Sequence, residues 1–363
     1  FAFHVYPYTA GQIRQVNNYP RCGALNPSEQ RKLGKGPVKT TILGFGGSTI
    51  GNIDGLRVVS QTDALSAIQT AWDKGIRYFD TAPLYGAGLG EQRMGHAIRQ
   101  HPRETYTVST KVGAILKPLP PDTTDKGRFT NRLPFEVVYD YSYDATLRSV
   151  EDSMQRLGLN RFDIALIHDI DAYTHGVEGQ KQKFSEAMEG AYPALEQLRR
   201  EGVLQAIGVG VSSWEVCQEC VRSCDFDCFI LAGRYTLLEQ KSLETFLPLC
   251  QDRNIGVIAA APYNSGILVY GPVDGAHYNY APASSLILEK TRQIEIVCAR
   301  HRVTLAAAAL QFPLGHPAVS SVLPGPRTPT QVETSVKLFK EIIPEDFWED
   351  LKEEQLIDAE TPN

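Results

Sequence analysis

From Thr40 onward the chain alternates short apolar runs with stretches whose apolar residues recur every three or four positions. The short runs read as buried strands at 41–45 (TILGF), 76–80 (IRYFD), 106–111 (YTVSTK) and 162–168 (FDIALIH). Four more follow at 204–211 (LQAIGVGV), 228–233 (CFILAG), 255–261 (IGVIAAA) and 319–324 (VSSVLP). They are apolar almost throughout, as strands covered on both faces are. Between them lie helical patterns. Leu65, Ile68 and Trp72 share one helical face, with Asp63 as the expected N-cap and Gly75 as the stop. EQRMGHAIRQ (91–100) reads as the next helix, and Leu147, Val150, Met154 and Leu157 form the stripe of another that ends at Gly158. Leu195 and Leu198 mark a further helix before Gly202.

Eight such βα units in about 320 residues predict an α/β protein of the (β/α)8 TIM-barrel class, one domain with long βα loops. No GxGxxG opens the first helix, and GFGGSTIGN (44–52) has the wrong spacing, so a doubly wound dinucleotide fold loses its main support. Residues 1–37, broken by Pro7, Gly11, Pro20, Gly23 and Pro27, read as an N-terminal extension, and 38–363 as the barrel. Two connections are long. Residues 112–141 and the tyrosine-rich 262–283 leave the C-terminal ends of the third and seventh strands, where lids over a barrel site belong.

Composition narrows the class. The hydrophobic share is 42% and the charged share 21%, an ordinary globular mixture without a transmembrane run. Lys plus Arg is 36 against 42 for Asp plus Glu, a formal charge of −6, which argues against nucleic acid as a partner. Seven cysteines are too sparse for a disulfide scaffold and point to a reducing, cytoplasmic setting. The opening FAFHVYPYTAGQ is too polar and too short for a signal-peptide core. Cys217, Cys220, Cys224 and Cys228, spaced C-x2-C-x3-C-x3-C, read as a buried helix stripe and not as a metal site. His96, His101, His301 and His316 read as surface residues.

Barrel geometry then selects the chemistry. Polar residues at the C-terminal ends of strands face the barrel mouth. These are Asp80, then Tyr85 just beyond it, Lys111 and His168. Together they make a proton-transfer unit. The lysine ammonium is expected to lower the pKa of the phenol, the carboxylate to hold the lysine, and the imidazole to orient a substrate oxygen.

GIRYFDTAPLYGAGLGEQRMGHAI (75–98), STKVG (109–113) and LIHDID (166–171) resemble, in that order, the signature segments of the aldo-keto reductase superfamily. The resemblance covers about residues 38–356. It implies that Asp80, Tyr85, Lys111 and His168 form the catalytic tetrad, with Tyr85 as general acid/base, and that NAD or NADP lies across the barrel mouth. The segments 139–171, 206–215, 231–240 and 261–268 resemble the branch of D-threo-aldose 1-dehydrogenase and pyridoxal 4-dehydrogenase. That branch implies oxidation of an aldose hemiacetal at C1 to a lactone and places NAD ahead of NADP. The alternatives are a general aldehyde reductase acting on pyridoxal-like substrates, and a cofactor-binding regulatory subunit. The implied partners are a small aldose or aldehyde, no membrane, and either a monomer or a homodimer.

The resemblance assigns cofactor contacts to Gly47, Ser48 and Asp80, to Ser212 or Ser213 for the carboxamide, and to Tyr263, Asn264, Ser265, Gly266 and Leu268 for the pyrophosphate. Gly325, Arg327, Thr328 and Gln331 would hold the adenosine end, with Arg327 gripping a 2′-phosphate or stacking on adenine. The sequence departs from the family where Ala232 replaces a glutamine, Ala260 an aromatic, and Ser335 an asparagine.

Overall fold

The computed structural model describes residues 23–53, 55–120 and 127–362. Eight parallel strands form one sheet: β1 (Phe45–Gly46), β2 (Tyr78–Asp80), β3 (Thr107–Val112), β4 (Ile164–His168), β5 (Ala206–Val211), β6 (Cys228–Ala232), β7 (Gly256–Ala260) and β8 (Val319–Leu323). Their spatial order is their chain order. The sheet closes on itself where Gly44 N donates to Val322 O (2.9 Å) and Val322 N to Ile42 O (2.9 Å). This is the expected TIM barrel; seven strands fall within their apolar runs or overlap most of them, while β1 shares only Phe45 with the 41–45 run, whose Thr41 belongs to a hairpin.

The N-terminal boundary falls differently. Gln30–Lys32 pairs antiparallel with Lys39–Thr41, and this hairpin runs across the 37/38 division. At its turn Leu33 and Val38 are buried against Tyr78, Ile164, Ile230 and Ile258, so the hairpin is the floor of the barrel. Arg31 Nη1 donates to the carbonyls of Leu314 (3.0 Å) and Val319 (3.1 Å), which ties the floor to β8. Residues 1–22 lie outside the described residues.

The helices sit where expected, with rotated faces. In α1 (Gln61–Asp73) the N-cap is Ser60, whose hydroxyl accepts from Asp63 N, so Asp63 is inside the first turn. The buried side of α1 is Ala64, Ala67, Ile68 and Ala71. Small residues let the helix lie close to the strands, while Trp72 turns aside and stacks on His101 at 3.6 Å. The helix α2 (Leu89–Ile98) begins two residues before the expected start. In α3 (Tyr143–Leu157) the buried side is Thr146, Ser149, Val150, Ser153 and Leu157, and Leu147 and Met154 are half-buried. The helix α4 (Ala172–Glu186) follows β4, and α5 (Tyr192–Arg200) carries Leu195 buried and Leu198 half-buried. In α6 (Trp214–Ser223) Cys217 and Cys220 face the core, as the stripe predicts, while Cys228 opens β6. Among the described residues no helix is long and apolar enough to cross a membrane.

The two long connections are partly regular. Residues 112–141 contain an antiparallel ribbon, Ala114–Pro118 against Phe135–Tyr139, and 262–283 contain a two-residue pairing, His277–Tyr278 with Ala281–Pro282. Both stand over the C-terminal ends of the strands.

The histidines correct the surface expectation. His96 is exposed, but His101 is stacked, His301 Nε2 lies 2.7 Å from Asp350, and His316 is buried at 3% exposure. His316 Nδ1 accepts from Ala318 N (3.2 Å), and burial pushes its pKa down to about 4. An unfolded histidine takes a proton near pH 6.5, while the folded one stays neutral until about pH 4. Stability is therefore complete above pH 6.5 and falls as the pH drops from 6.5 to about 4, by about 3 kcal/mol from this residue. Urea unfolding of His316→Asn, which keeps an acceptor and removes the titration, is expected to show a flatter acid limb than the parent chain.

Candidate active site

Alternate residues of a barrel strand face the lumen. The inward series Tyr78 on β2, Ile164 and Leu166 on β4, and Cys228 and Ile230 on β6 forms the apolar interior. Two residues further along the same faces the series turns polar: Asp80 after Tyr78, Lys111 after Ser109, and His168 after Leu166. The rotation of β3 is set from outside as well. Its outward Thr110 donates to Glu91 on α2 (2.6 Å), and Glu91 is paired with Arg156 on α3. With Thr110 anchored outward, Ser109 and Lys111 must point inward.

Lys111 is 1% exposed and Asp80 2%. The Lys111 ammonium donates to both Asp80 oxygens (2.9 and 2.7 Å) and to the Thr81 carbonyl (2.8 Å). Ser109 Oγ adds a 2.6 Å bond to Asp80 Oδ1, and Tyr78 OH lies 3.0 Å from Ser109 Oγ. A buried ion pair is tolerable only with its remaining donors and acceptors met, and here they are. Gly210 on β5 lies alongside the lysine chain, where a Cβ would sit 3.4 Å from Lys111 Cε, at ordinary contact distance.

Tyr85 lies on the turn after β2, half-buried over this pair. The ammonium is 4.7 Å from its ring centroid, and the ring meets His168 edge-to-face at 5.7 Å and Phe129 at 6.0 Å. The four residues selected from the sequence thus converge at one mouth. The expected lowering of the Tyr85 pKa is not what the site produces. Burial pushes the phenol well above its ordinary value, and the carboxylates of Asp80 and Asp169 push the same way. The lysine charge is already matched by Asp80. Burial, with the Lys111 and Arg128 charges, holds the His168 pKa well below the usual histidine range. At neutral pH the resting pair is a phenol and a neutral imidazole, and each can donate a hydrogen bond.

Residues 42–355 match the family model described as the aldo/keto reductase family. The chain belongs to the aldo/keto reductase family. A pyridoxal 4-dehydrogenase from Microbacterium luteolum is 40% identical over 342 residues, covering 92% of this chain and 99% of that protein. A D-threo-aldose 1-dehydrogenase from a Pseudomonas species is 36% identical over 322 residues, covering 87% and 94%. Among solved structures, an aldo-keto reductase from Bacillus halodurans superposes with a TM-score of 0.71 at 23% identity, over 92% of this chain and 97% of that one, which supports the fold.

Aldo/keto reductases are oxidoreductases that use NAD(P)H, and the residues expected to hold it ring the mouth. Gly47 N donates to Asp80 O (2.8 Å), and a Cβ at Gly47 would come within 2.6 Å of that oxygen. Ser48 N-caps the single turn Thr49–Gly51. Gly325 packs against Thr49, joining the loops after β1 and β8. Ser212 is pinned through its backbone: its N–H donates to Asp171 (2.8 Å) and its carbonyl accepts from Arg234 Nε (2.9 Å). The Ser213 hydroxyl accepts from Val216 N and so caps α6, which leaves Ser212 as the carboxamide candidate. In the segment after β7, Asn264 N, Gly266 N and Leu268 N donate to the carbonyls of Ala261 and Tyr263, and the Leu268 side chain is fully buried. The amides expected to bind pyrophosphate are thus partly engaged in the turn itself. Asn264 Nδ2 holds Gly233 O (3.2 Å), while its buried Oδ1 lacks a partner, an acceptor ready for a bound group. Ser265 Oγ accepts from Tyr280 N (2.8 Å). Thr328 N-caps the helix Pro329–Phe339, and Gln331 returns a bond to Arg327 N (2.8 Å), a reciprocal cap. Arg327 Nη1 lies 3.4 Å from Arg57 O. The Asn264 acceptor, the tight Gly47 and the helix start beside Arg327 fit a dinucleotide.

Arg128, Phe129, Asp169 and Tyr280 also reach this mouth, and the sequence reading did not single them out as site residues. Arg128 and Phe129 follow 126 in a long loop where no strand end marks them. Asp169 does follow His168 directly, and that position was the available signal.

Removing Lys111 alone should leave a buried carboxylate without its counter-charge, at a cost of about 3–5 kcal/mol. Denaturant unfolding of Lys111→Met is expected to show this loss, and Lys111→Met with Asp80→Asn to recover part of it. Additive losses would mean that the two groups do not stabilise each other.

Proposed function

We propose that the chain is an NAD(P)-dependent dehydrogenase of cyclic hemiacetals, an aldose at C1 or the internal hemiacetal of pyridoxal, with a lactone as product. The observation that carries the reading is the convergence of Tyr85 and a neutral His168 above the buried Lys111–Asp80 pair. The substrate class rests on the relatives that cover nearly the whole chain, a pyridoxal 4-dehydrogenase and a D-threo-aldose 1-dehydrogenase.

Tyr85, Asp80, Lys111 and His168 are the proposed catalytic residues. The reacting oxygen lies between Tyr85 OH and His168 Nε2. His168, neutral through burial, donates to that oxygen and fixes its direction. In oxidation Tyr85 first gives its own proton to solvent, and the phenolate then takes the hydroxyl proton as the carbon–oxygen double bond forms; in reduction the resting phenol gives its proton to the carbonyl oxygen. Lys111 and Asp80 hold the field under the ring constant. A bound nicotinamide would supply the hydride acceptor. Ser212, Asn264 and Arg327 are proposed to hold its carboxamide, linker and adenosine ends, with NAD as the preferred form.

Because burial holds the Tyr85 proton tightly, oxidation should accelerate as the pH rises through the mildly alkaline range, and reduction should not. The test is initial rates of NADH and NADPH formation with L-fucose, D-arabinose, L-galactose, L-xylose and pyridoxal. Tyr85→Phe is expected to lose roughly 10²–10⁴-fold in kcat, the share of a general acid–base group. A loss below about tenfold would remove Tyr85 from that role. Turnover of simple aldehydes with silence on every hemiacetal would replace the dehydrogenase by a general reductase. Tight cofactor binding without any turnover would make the chain a regulatory subunit.

A further inference from the structure

One charged group at the mouth has no part in the proton transfer above. Asp169 follows β4, and its Oδ1 lies 3.6 Å from His168 Nε2, beyond hydrogen-bond length. Its Oδ2 takes Arg128 Nη1 at 3.3 Å. The side chain is 13% exposed, so it is largely removed from water while keeping an opening to the cleft. Burial pushes its pKa up to about 6, with Asp171 adding to the shift and Arg128 and Lys111 opposing it. Its Oδ2 is paired with the Arg128 guanidinium, and its Oδ1 lies on the side of His168 Nε2.

The backbone holds it there. Asp169 has a φ of +52°, a conformation that costs most residues energy and that Asp tolerates better than most. Asp169 N donates to Gly210 O (3.0 Å), and the fully buried Tyr141 donates its hydroxyl to the carbonyls of His168 (2.8 Å) and Asp169 (3.2 Å). Arg128 arrives from the 112–141 segment and lies 5.4 Å from the Tyr173 ring, which is 6.2 Å from Tyr280 of the 262–283 segment. The first long connection therefore reaches the carboxylate directly through Arg128, and the second comes near it through Tyr173.

We propose that Asp169, held by Arg128, is the specificity-determining residue that accepts a hydrogen bond from the substrate hydroxyl on the carbon next to the reacting one. The assignment rests on the hemiacetal dehydrogenase reading above. The geometry suits it: Asp169 Oδ1 stands 3.6 Å from His168 Nε2, too far for a direct hydrogen bond between the two and near enough for each to hold one of two hydroxyls on adjacent carbons.

The experiment compares D-arabinose with 2-deoxy-D-ribose, which lacks only the C2 hydroxyl, as substrates for oxidation. The parent chain is expected to favour D-arabinose roughly 10- to 100-fold in kcat/KM, the range of one hydrogen bond to a charged group. Asp169→Gly, which accepts a positive φ, should bring the two substrates within about twofold, mainly by loss with D-arabinose. Asp169→Asn, which keeps an acceptor and the same backbone, should retain part of the preference, and Arg128→Met should weaken it. Cofactor affinity by fluorescence titration should be unchanged in all three. A preference that survives in Asp169→Gly, an equal loss for both sugars, or a parent chain without preference overturns the assignment while leaving the dehydrogenase reading in place. A parent chain silent on every sugar overturns the aldose reading itself, and this assignment falls with it.

Discussion

The site depends on one buried ion pair. Lys111 and Asp80 lie across the lumen where water cannot screen them, and such a pair stands only when every remaining donor and acceptor is met. Ser109 and the Thr81 carbonyl meet them. Outside the barrel Glu91 and Arg156 hold Thr110, so that β3 cannot roll. Two helices and two strands are thus committed to the direction of a single ammonium group.

The pair also sets the electrostatics above it. A lone lysine under a phenol would favour the phenolate. With its charge matched by Asp80, burial decides instead, and Tyr85 keeps its proton. His168 loses its charge by the same physics, since an imidazolium would be both buried and close to Lys111 and Arg128. The resting state presents two neutral donors to one oxygen. Pairwise charge reasoning gives the wrong direction for Tyr85 because it omits the partner of the lysine and the lost hydration.

What was legible in the sequence follows from which forces act locally. Strand positions were clear because both faces of each strand are covered, which leaves continuous apolar runs such as 162–168 and 255–261. Asp80, Lys111 and His168 were clear because strand ends in a closed barrel share one mouth. Helix faces were less so: α1 turns alanines to the sheet, and α3 buries Thr146, Ser149 and Ser153, so hydrophobicity alone pointed Leu65 and Met154 too far inward. The floor hairpin was missed because Leu33 and Val38 are two apolar residues among polar ones. His316 and Arg128 depend on distant packing, which no local pattern encodes.

The division of labour follows from the same architecture. The residues proposed to move protons stand on strand ends, or on a turn packed against them. The two long connections bring Arg128, Phe129 and Tyr280 to the mouth, and the fully buried Tyr141 ties the first connection to the end of β4. The hydrogen bonds of the Lys111–Asp80 pair come from Ser109 and Thr81, which lie on neither connection. Asp169 is the exception. It lies beside His168 on the rigid strand end yet answers to Arg128 on a loop, and so couples the fixed chemistry to the variable wall.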